Sequence, residues 1–345
     1  MTIGDARVFS SGPRSFRMAS PDPTESPLEA VAAGGRATEA FERLSDETRL
    51  AILVALWESY EPFGETDAVR FSELRDHVGT ADSGQFNYHL DRLDGHFVES
   101  VEDGYRLSEA GLVFVRSVIA GAGIEAPTLE PTEVDQSCYF CGSGVEVAYE
   151  DGWVYVRCTE CEGLWPDDGE NGRDERGGQL ATFSLHPAGL ANRSPEEVYA
   201  AAWVRTFQKL HSMLEGACPT CTGRVDRSID VCGDHDHDGR CSNCGRRSRT
   251  VGRLRCTVCK EWVRTTLGGI AAYHPAVVGF CYDHGLQLQY GVNDLGRIRE
   301  RLERGGSTVE LLSADPPRVG VTTELDGDEI RLELDGNLSV VAVES

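Results

Sequence analysis

Ten of the twelve cysteines in this 345-residue chain stand in five Cys-x-x-Cys pairs, at 138/141, 158/161, 218/221, 241/244 and 256/259. Two residues between thiolates let one tight turn aim both sulfurs at a tetrahedral ion, and two such turns close a structural zinc site. The other two cysteines open the near-motifs Cys232-Gly-Asp-His235 and Cys281-Tyr-Asp-His284. With Cys232 and His235 the five pairs supply twelve donors, a complement for about three tetrahedral zinc ions. For the pairs 138/141 and 158/161 a redox dithiol is disfavoured, because both knuckles of a four-donor site are present.

The first such site reads as a ribbon. Cys138 and Cys141 lead into 145–149, an Asp151-Gly152 turn and 153–157, which runs into Cys158 and Cys161. A lone hairpin is marginal in water, and an ion supplies the core it lacks. The second group can pair in two ways. Sequential pairing joins Cys218 and Cys221 to Cys241 and Cys244, but no return strand follows 223–231 before Cys241. The stretch 246–255 feeds directly into Cys256, which favours an outer site of Cys218, Cys221, Cys256 and Cys259 around an inner site of Cys232, His235, Cys241 and Cys244. His237 is the alternative to His235. Cys281, between Phe280 and Tyr282, then reads as a packed free thiol.

Several elements must position these ligands. Ser194-Pro-Glu-Glu197 is a capping box with proline at the first helical position. It opens a helix that runs through Leu214 to Gly216, with Trp203, Phe207, Leu210 and Leu214 on one stripe, and this helix bridges the first ribbon to the second group. A charged helix at 293–304 precedes four strands at 308–313, 318–323, 329–334 and 338–343, joined by Asp-Gly turns into a small antiparallel sheet.

Between 44 and 111 the pattern changes to helix-turn-helix. A helix after Ser45, which can cap it, carries Leu50, Leu53, Leu56 and Trp57 at helical spacing. A short helix at 71–78 turns Leu74 and Val78 inward and breaks at Gly79. In 82–93 the apolar stripe is Phe86, Leu90 and Leu93, which leaves Ser83, Gln85, Asn87, Tyr88 and Arg92 facing out. Those are side-chain types that read base edges. His89 packs under the turn. Strands at 97–101 and 105–107 flank an Asp-Gly turn and form a wing. The helix from Ser108, with Leu112, Val113, Phe114, Val115, Val118 and Ile119, carries more apolar surface than one packing face absorbs.

The run from Leu44 to Leu53, the run from Asn87 to Leu93 and Phe97-Val98-Glu99 resemble the ArsR-like winged helix-turn-helix transcriptional regulators. The resemblance implies a homodimer that binds double-stranded DNA with its third helix in the major groove. It puts Ser83, Gln85, Asn87 and Tyr88 at bases, and Arg92 and the wing residue Arg106 at phosphate. There is one departure. Metal-sensing members carry cysteines in or near the recognition helix, whereas 71–107 holds none, which argues against a thiol sensor there. The whole layout, a winged helix followed by zinc ribbons, is similar to haloarchaeal proteins of this type.

The charge balance agrees with a salt-loving source. Acidic residues number 57 against 33 basic, for a net charge of −24, and Lys209 and Lys260 are the lysines. The acidity opposes DNA binding, but at 1 M salt the Debye length is only ~3 Å, so distant carboxylates are screened. No apolar run approaches the roughly 20 residues of a membrane span, and no signal-peptide layout opens the chain. The expectation is a cytoplasmic protein. Phosphate loops, Ser/His/Asp constellations and His-Glu-x-x-His are absent from the sequence, so an enzyme is not expected.

The fold expected is α+β. A disordered leader spans 1–35, a winged helix 36–122 and a linker 123–134. The first zinc ribbon and a strand take 135–192; the bridging helix, second zinc module and C-terminal antiparallel sheet take 193–345. The function expected is a sequence-specific DNA-binding regulator with a structural-zinc C-terminal sensor or docking domain, for an unidentified small-molecule or protein effector. The alternative is a zinc-ribbon adaptor for protein or RNA partners.

Overall fold

Carboxylate caps open two of the first four helices. α1 (Arg36–Leu44) gives way to α2 (Glu47–Glu58), whose cap is Asp46, accepting from the Arg49 amide at 3.1 Å. Ser45, expected in that role, instead donates its hydroxyl back to the Glu42 carbonyl at 3.0 Å. α3 (Phe71–Val78) stops at Gly79, and Asp82 caps α4 (Ser83–Leu93) through the Gly84 and Gln85 amides. The strands β1 (Val98–Val101) and β2 (Gly104–Leu107) follow, then α5 (Glu109–Ile119).

In the computed structural model the described residues are 36–64, 67–121, 126–165, 178–236, 239–288, 291 and 295–345. The leader expected at 1–35 and His237 lie outside them. The chain divides into two compact units, Met1–Leu112 and Val113–Ser345. This division falls inside α5 rather than at 122, because that helix continues past the last residue of the first unit.

The core of the first unit gathers Ile52, Leu53 and Leu56 of α2, Leu74 of α3, and Phe86, Leu90 and Leu93 of α4. Leu50, expected inward, is 38% exposed, and Ile52 takes its place. Residues 50–57 of α2 are apolar almost throughout, so periodicity alone does not choose the buried face. The hairpin pairs Val98 with Leu107 and Val101 with Gly104, and Val69 bridges to Tyr105 on its far side. Gly104 is required there: a Cβ would lie 2.3 Å from the Val69 carbonyl.

The second unit is built on three antiparallel sheets. β3 (Leu129–Ser137), β4 (Gly144–Glu150), β5 (Trp153–Cys158) and β6 (Gln179–Ser184) form the first, in sequence order. β3 occupies part of the expected linker. It is an edge strand containing Pro131 and three acidic residues, with Val134 and Gln136 as its buried positions, so its sequence carries little strand signal. α6 (Pro195–Leu214) follows with the capping box at Ser194 and Glu197 formed.

β7 (Val225–Val231), β8 (Thr250–Cys256) and β9 (Trp262–Thr265) make the second sheet. α7 (Leu267–Ala271), α8 (Pro275–Asp283) and α9 (Leu295–Arg304) lead into the third. That sheet is a meander of β10 (Ser307–Ala314), β11 (Pro317–Leu325), β12 (Asp328–Asp335) and β13 (Val340–Glu344). α6 joins two cores: Val198, Tyr199 and Trp203 bury in the first sheet, Leu210 and Met213 in the core shared by the second and third. The separation expected at 192/193 is therefore absent, since one helix belongs to both cores. No described helix is long and apolar enough to cross a membrane.

Candidate metal centres and candidate nucleic-acid interface

Four short loops repeat one backbone plan. The amide of the first cysteine donates to the carbonyl five residues on: Cys138 to Ser143, Cys218 to Gly223, Cys241 to Arg246 and Cys256 to Glu261, at 2.8 to 3.0 Å. The residue after the second cysteine turns left-handed at Gly142 (φ 78°), Thr222 (56°), Gly245 (65°) and Lys260 (64°). Two of these are glycines and accept that geometry freely. Thr222 and Lys260 bear roughly 1 kcal/mol or more of strain, offset where the loop closes. The loop turns backbone amides onto sulfur, Phe140 N–H to Cys138 Sγ and Val258 N–H to Cys256 Sγ, each at 3.4 Å.

The loops meet in three clusters whose ligand atoms lie within 4.8 Å of one another. Cys138, Cys141, Cys158 and Cys161 form the first, with Sγ separations of 3.7 Å (138 to 161) and 3.4 Å (141 to 158). Cys218, Cys221, Cys256 and Cys259 form the second, at 3.5 Å for both 218 to 259 and 221 to 256. Cys232, His235, Cys241 and Cys244 form the third. The nested pairing has a simple cause. β7 and β8 run antiparallel from Val225 opposite Cys256 to Val231 opposite Thr250, so one cluster closes each end of the same hairpin.

The third cluster shows how its imidazole is oriented. His235 Nδ1 lies 3.6 Å from Cys244 Sγ, while Nε2 sits 3.2 Å from the Arg247 carbonyl. A proton on Nε2 donated to that carbonyl leaves Nδ1 free as a ligand, the usual second contact of a metal-binding histidine. Arg246 and Arg253 both reach Asp230 Oδ2, at 2.7 and 2.9 Å, and tie the hairpin beside the cluster. Cys281 joins no cluster among the described residues. It is fully buried, burial pushes its thiol up, and His284 turns instead to the Phe280 carbonyl and Asp328.

Crowding four ligands sets their protonation against one another. Burial pushes Cys138 up to about 12, while the Ser143 hydroxyl and amide bring its neighbour Cys141 down to about 6. Against burial, the amides of Cys259 and Val258 pull Cys256 down to about 7, and those of Asp236, Cys244 and Asn243 do the same for Cys241. Sulfurs this close cannot all be anionic without a cation between them. Two sets of four sulfurs and one set of three sulfurs with an imidazole nitrogen, at tetrahedral spacing, can each hold a metal ion, and that donor chemistry suits a closed structural site.

The exposed face of α4 is the other candidate site. Ser83, Gln85, Asn87, Tyr88 and Arg92 are all solvent-exposed, with Phe86, His89, Leu90 and Leu93 buried behind them. His89 Nδ1 lies 3.3 Å from Asp46 Oδ1. Two of the expected contacts are already engaged within the protein: Asn87 Nδ2 donates to Asp91 at 2.9 Å, and Arg106 donates to Glu99 at 3.0 Å. The Arg92 guanidinium lies 5.4 Å from the Tyr88 ring centre.

The twelve residues expected as ligands are those the structure gathers into the three clusters, while spacing gives no sign of Arg247, whose carbonyl orients His235, or of Ser143, which lowers the Cys141 pKa. A glycine after Cys141 and after Cys244 marks two of the left-handed turns; Thr222 and Lys260 give no such signal.

A family described as a domain of unknown function (DUF7351) matches residues 135–340, and a second so described (DUF7347) matches residues 37–118. No curated protein matches the chain.

Proposed function

The chain belongs to the DUF7351 family, and we propose that this member is a sequence-specific DNA-binding transcriptional regulator with structural zinc in its second unit. The carrying observation is α4. It exposes Ser83, Gln85, Asn87 and Tyr88 from a helix whose opposite face is fully buried, after a short turn from α3 and before a two-stranded hairpin. A winged helix-turn-helix presents its recognition helix in this way. Hydroxyl and amide side chains on the outward face can pair with base edges in the major groove. The resemblance to ArsR-like regulators adds the homodimer; Phe41, Val113 and Ile119, 74%, 56% and 44% exposed, are apolar side chains that such an interface would cover. Zinc follows from the all-thiolate and thiolate-imidazole donor sets, and about three ions fill them.

The test is selection of duplexes from a randomised library by the purified chain in molar KCl, followed by titration of the selected site. Gln85→Ala is expected to lower affinity for that site by about 1–3 kcal/mol and to leave random duplex binding nearly unchanged. Failure to enrich any sequence, with the zinc content intact, sinks the proposal.

A second reading is a zinc-ribbon adaptor for protein or RNA partners. The internal pairing of Asn87 with Asp91 and of Arg106 with Glu99 favours it, because a DNA reader keeps such groups available. Under that reading the library shows no enrichment and Gln85→Ala changes nothing.

A further inference from the structure

The second unit holds an open cleft of about 1260 Å³ that the metal centres do not account for. Its walls come from both ends of the unit. Tyr139 and Phe140 stand between Cys138 and Cys141; Arg247 and Arg249 follow Cys244; Phe207 and Tyr273 stack with ring centres 5.4 Å apart. Trp165, Trp203 and Tyr199 widen the aromatic surface.

The charge of the lining runs against that of the whole chain. Of 345 residues, 57 are Asp or Glu, yet none of the described residues lining the cleft is acidic. Four arginines line it: Arg247, Arg249, Arg264 and Arg301. Arg247 lies 4.7 Å from the Phe140 ring centre and Arg264 4.9 Å from that of Trp165, an arrangement that fixes each guanidinium beside an aromatic face. Arg247, Arg249 and Arg301 donate to the backbone carbonyls of Gly163, Cys232 and Gly305, and no described carboxylate pairs with these three. Their charges are therefore held in place by neutral groups. Gln136, 6% exposed, adds a buried Oε1 with no hydrogen-bond partner among the described residues, and Thr206 Oγ1 is in the same state. A buried polar atom facing a cavity without a partner is satisfied when a ligand or water supplies one.

We propose that this cleft binds a small organic anion with a planar aromatic body. The rings and apolar side chains take the body, the arginines take the anionic group, and Gln136 accepts from a donor on the ligand. Pockets that bury such ligands combine a mostly apolar lining with a few placed polar groups, as here. Arginine is the suited partner because its planar fork meets a carboxylate, sulfonate or phosphate with two parallel donors. The site stands on the cleft alone and does not depend on the DNA-binding reading.

The probes are 1-anilinonaphthalene-8-sulfonate and its uncharged counterpart N-phenyl-1-naphthylamine, titrated by fluorescence into the full metal-loaded chain in molar KCl. The anionic dye is expected to bind saturably and about tenfold or more tighter than the neutral one, the margin of a charge-assisted pair. Arg264→Gln and Arg301→Gln are each expected to weaken the anion about tenfold while leaving the neutral dye unchanged, and Arg264→Lys to recover only part of that loss, because an ammonium keeps the charge without the planar fork. Metal content and circular dichroism establish that each variant is folded. Equal affinity for the two dyes, absence of saturable binding, or folded glutamine variants that bind the anion as the parent does would each overturn the proposal. The comparison of dyes on the unmodified chain decides the matter even where a variant fails to fold.

Discussion

The two units reach order by different means. The described part of the first contains no cysteine and rests on a core of α2, α3 and α4 side chains, with carboxylate caps at Asp46 and Asp82. The second carries all twelve cysteines, and two of its clusters close opposite ends of one hairpin. The first unit closes on side-chain packing alone, whereas the hairpins of the second run into cysteine clusters at their ends, and a hairpin end without its cross-link or ion is marginal. The difference teaches that metal should control one unit and leave the other indifferent.

Removing metal is the strongest way to break that comparison. A structural zinc contributes on the order of 10–16 kcal/mol to the folding of a small module, so chelation is expected to melt the sheets of the second unit while the helical melt of the first survives. Cobalt spectroscopy sharpens the result. Cys256→Ser should abolish the thiolate bands of the cluster that contains Cys218, whereas Cys241→Ser should spare them. The opposite pattern would mean that the pairing across β7 and β8 is wrong. Loss of the helical melt on chelation would show that the first unit also depends on the metal.

The converse experiment is Phe86→Ala. Phe86 is fully buried and meets Phe71 edge-on at 5.2 Å, so truncation is expected to cost the first unit about 3–5 kcal/mol. Metal content, measured by elemental analysis, should stay that of the parent. A fall in bound metal would contradict the independence of the two units.

A smaller effect lies where α6 meets the second cluster. Lys209 Nζ reaches Glu261 Oε1 at 2.5 Å, and the Thr220 hydroxyl donates to the other oxygen at 3.0 Å. Burial opposes the charge on Glu261, but the Lys209 contact outweighs it and lowers the carboxyl pKa below its ordinary value. A depressed carboxylate adds stability above the ordinary glutamate pKa and loses it as pH falls through the folded value. The pair is partly exposed, so Lys209→Ala should cost about 1 kcal/mol at neutral pH, with a smaller difference from the parent in mild acid. A Tm difference that grows on acidification would have the wrong sign for this linkage.

Legibility differs between the two units for physical reasons. Ligand spacing is local, so the Cys-x-x-Cys loops stand out residue by residue, and the missing return strand before Cys241 points to the outer pairing. The buried stripe of α4 is equally legible, because Phe86, Leu90 and Leu93 alternate with polar residues. In α2 the apolar residues surround the helix, so spacing turns Leu50 inward where Ile52 is the buried side chain. β3 reads as linker because an acidic edge strand that pairs on one side keeps little alternation. The engagement of Asn87 with Asp91 and of Arg106 with Glu99 is a matter of rotamers, which spacing does not encode.

The sequence by itself determined the twelve clustered donors, the capping box at Ser194, the C-terminal meander and the exposed polar face of α4. Each follows from contacts within a few residues or from simple periodicity. Only the tertiary structure decided the rest: that α6 lies in two cores and merges the modules, that Arg247 orients His235, and that arginines far apart in the chain line one cleft without a carboxylate among the described residues. Those arrangements depend on which surfaces meet across long sequence separations, and the pattern along a chain records which residues seek burial without recording their partners.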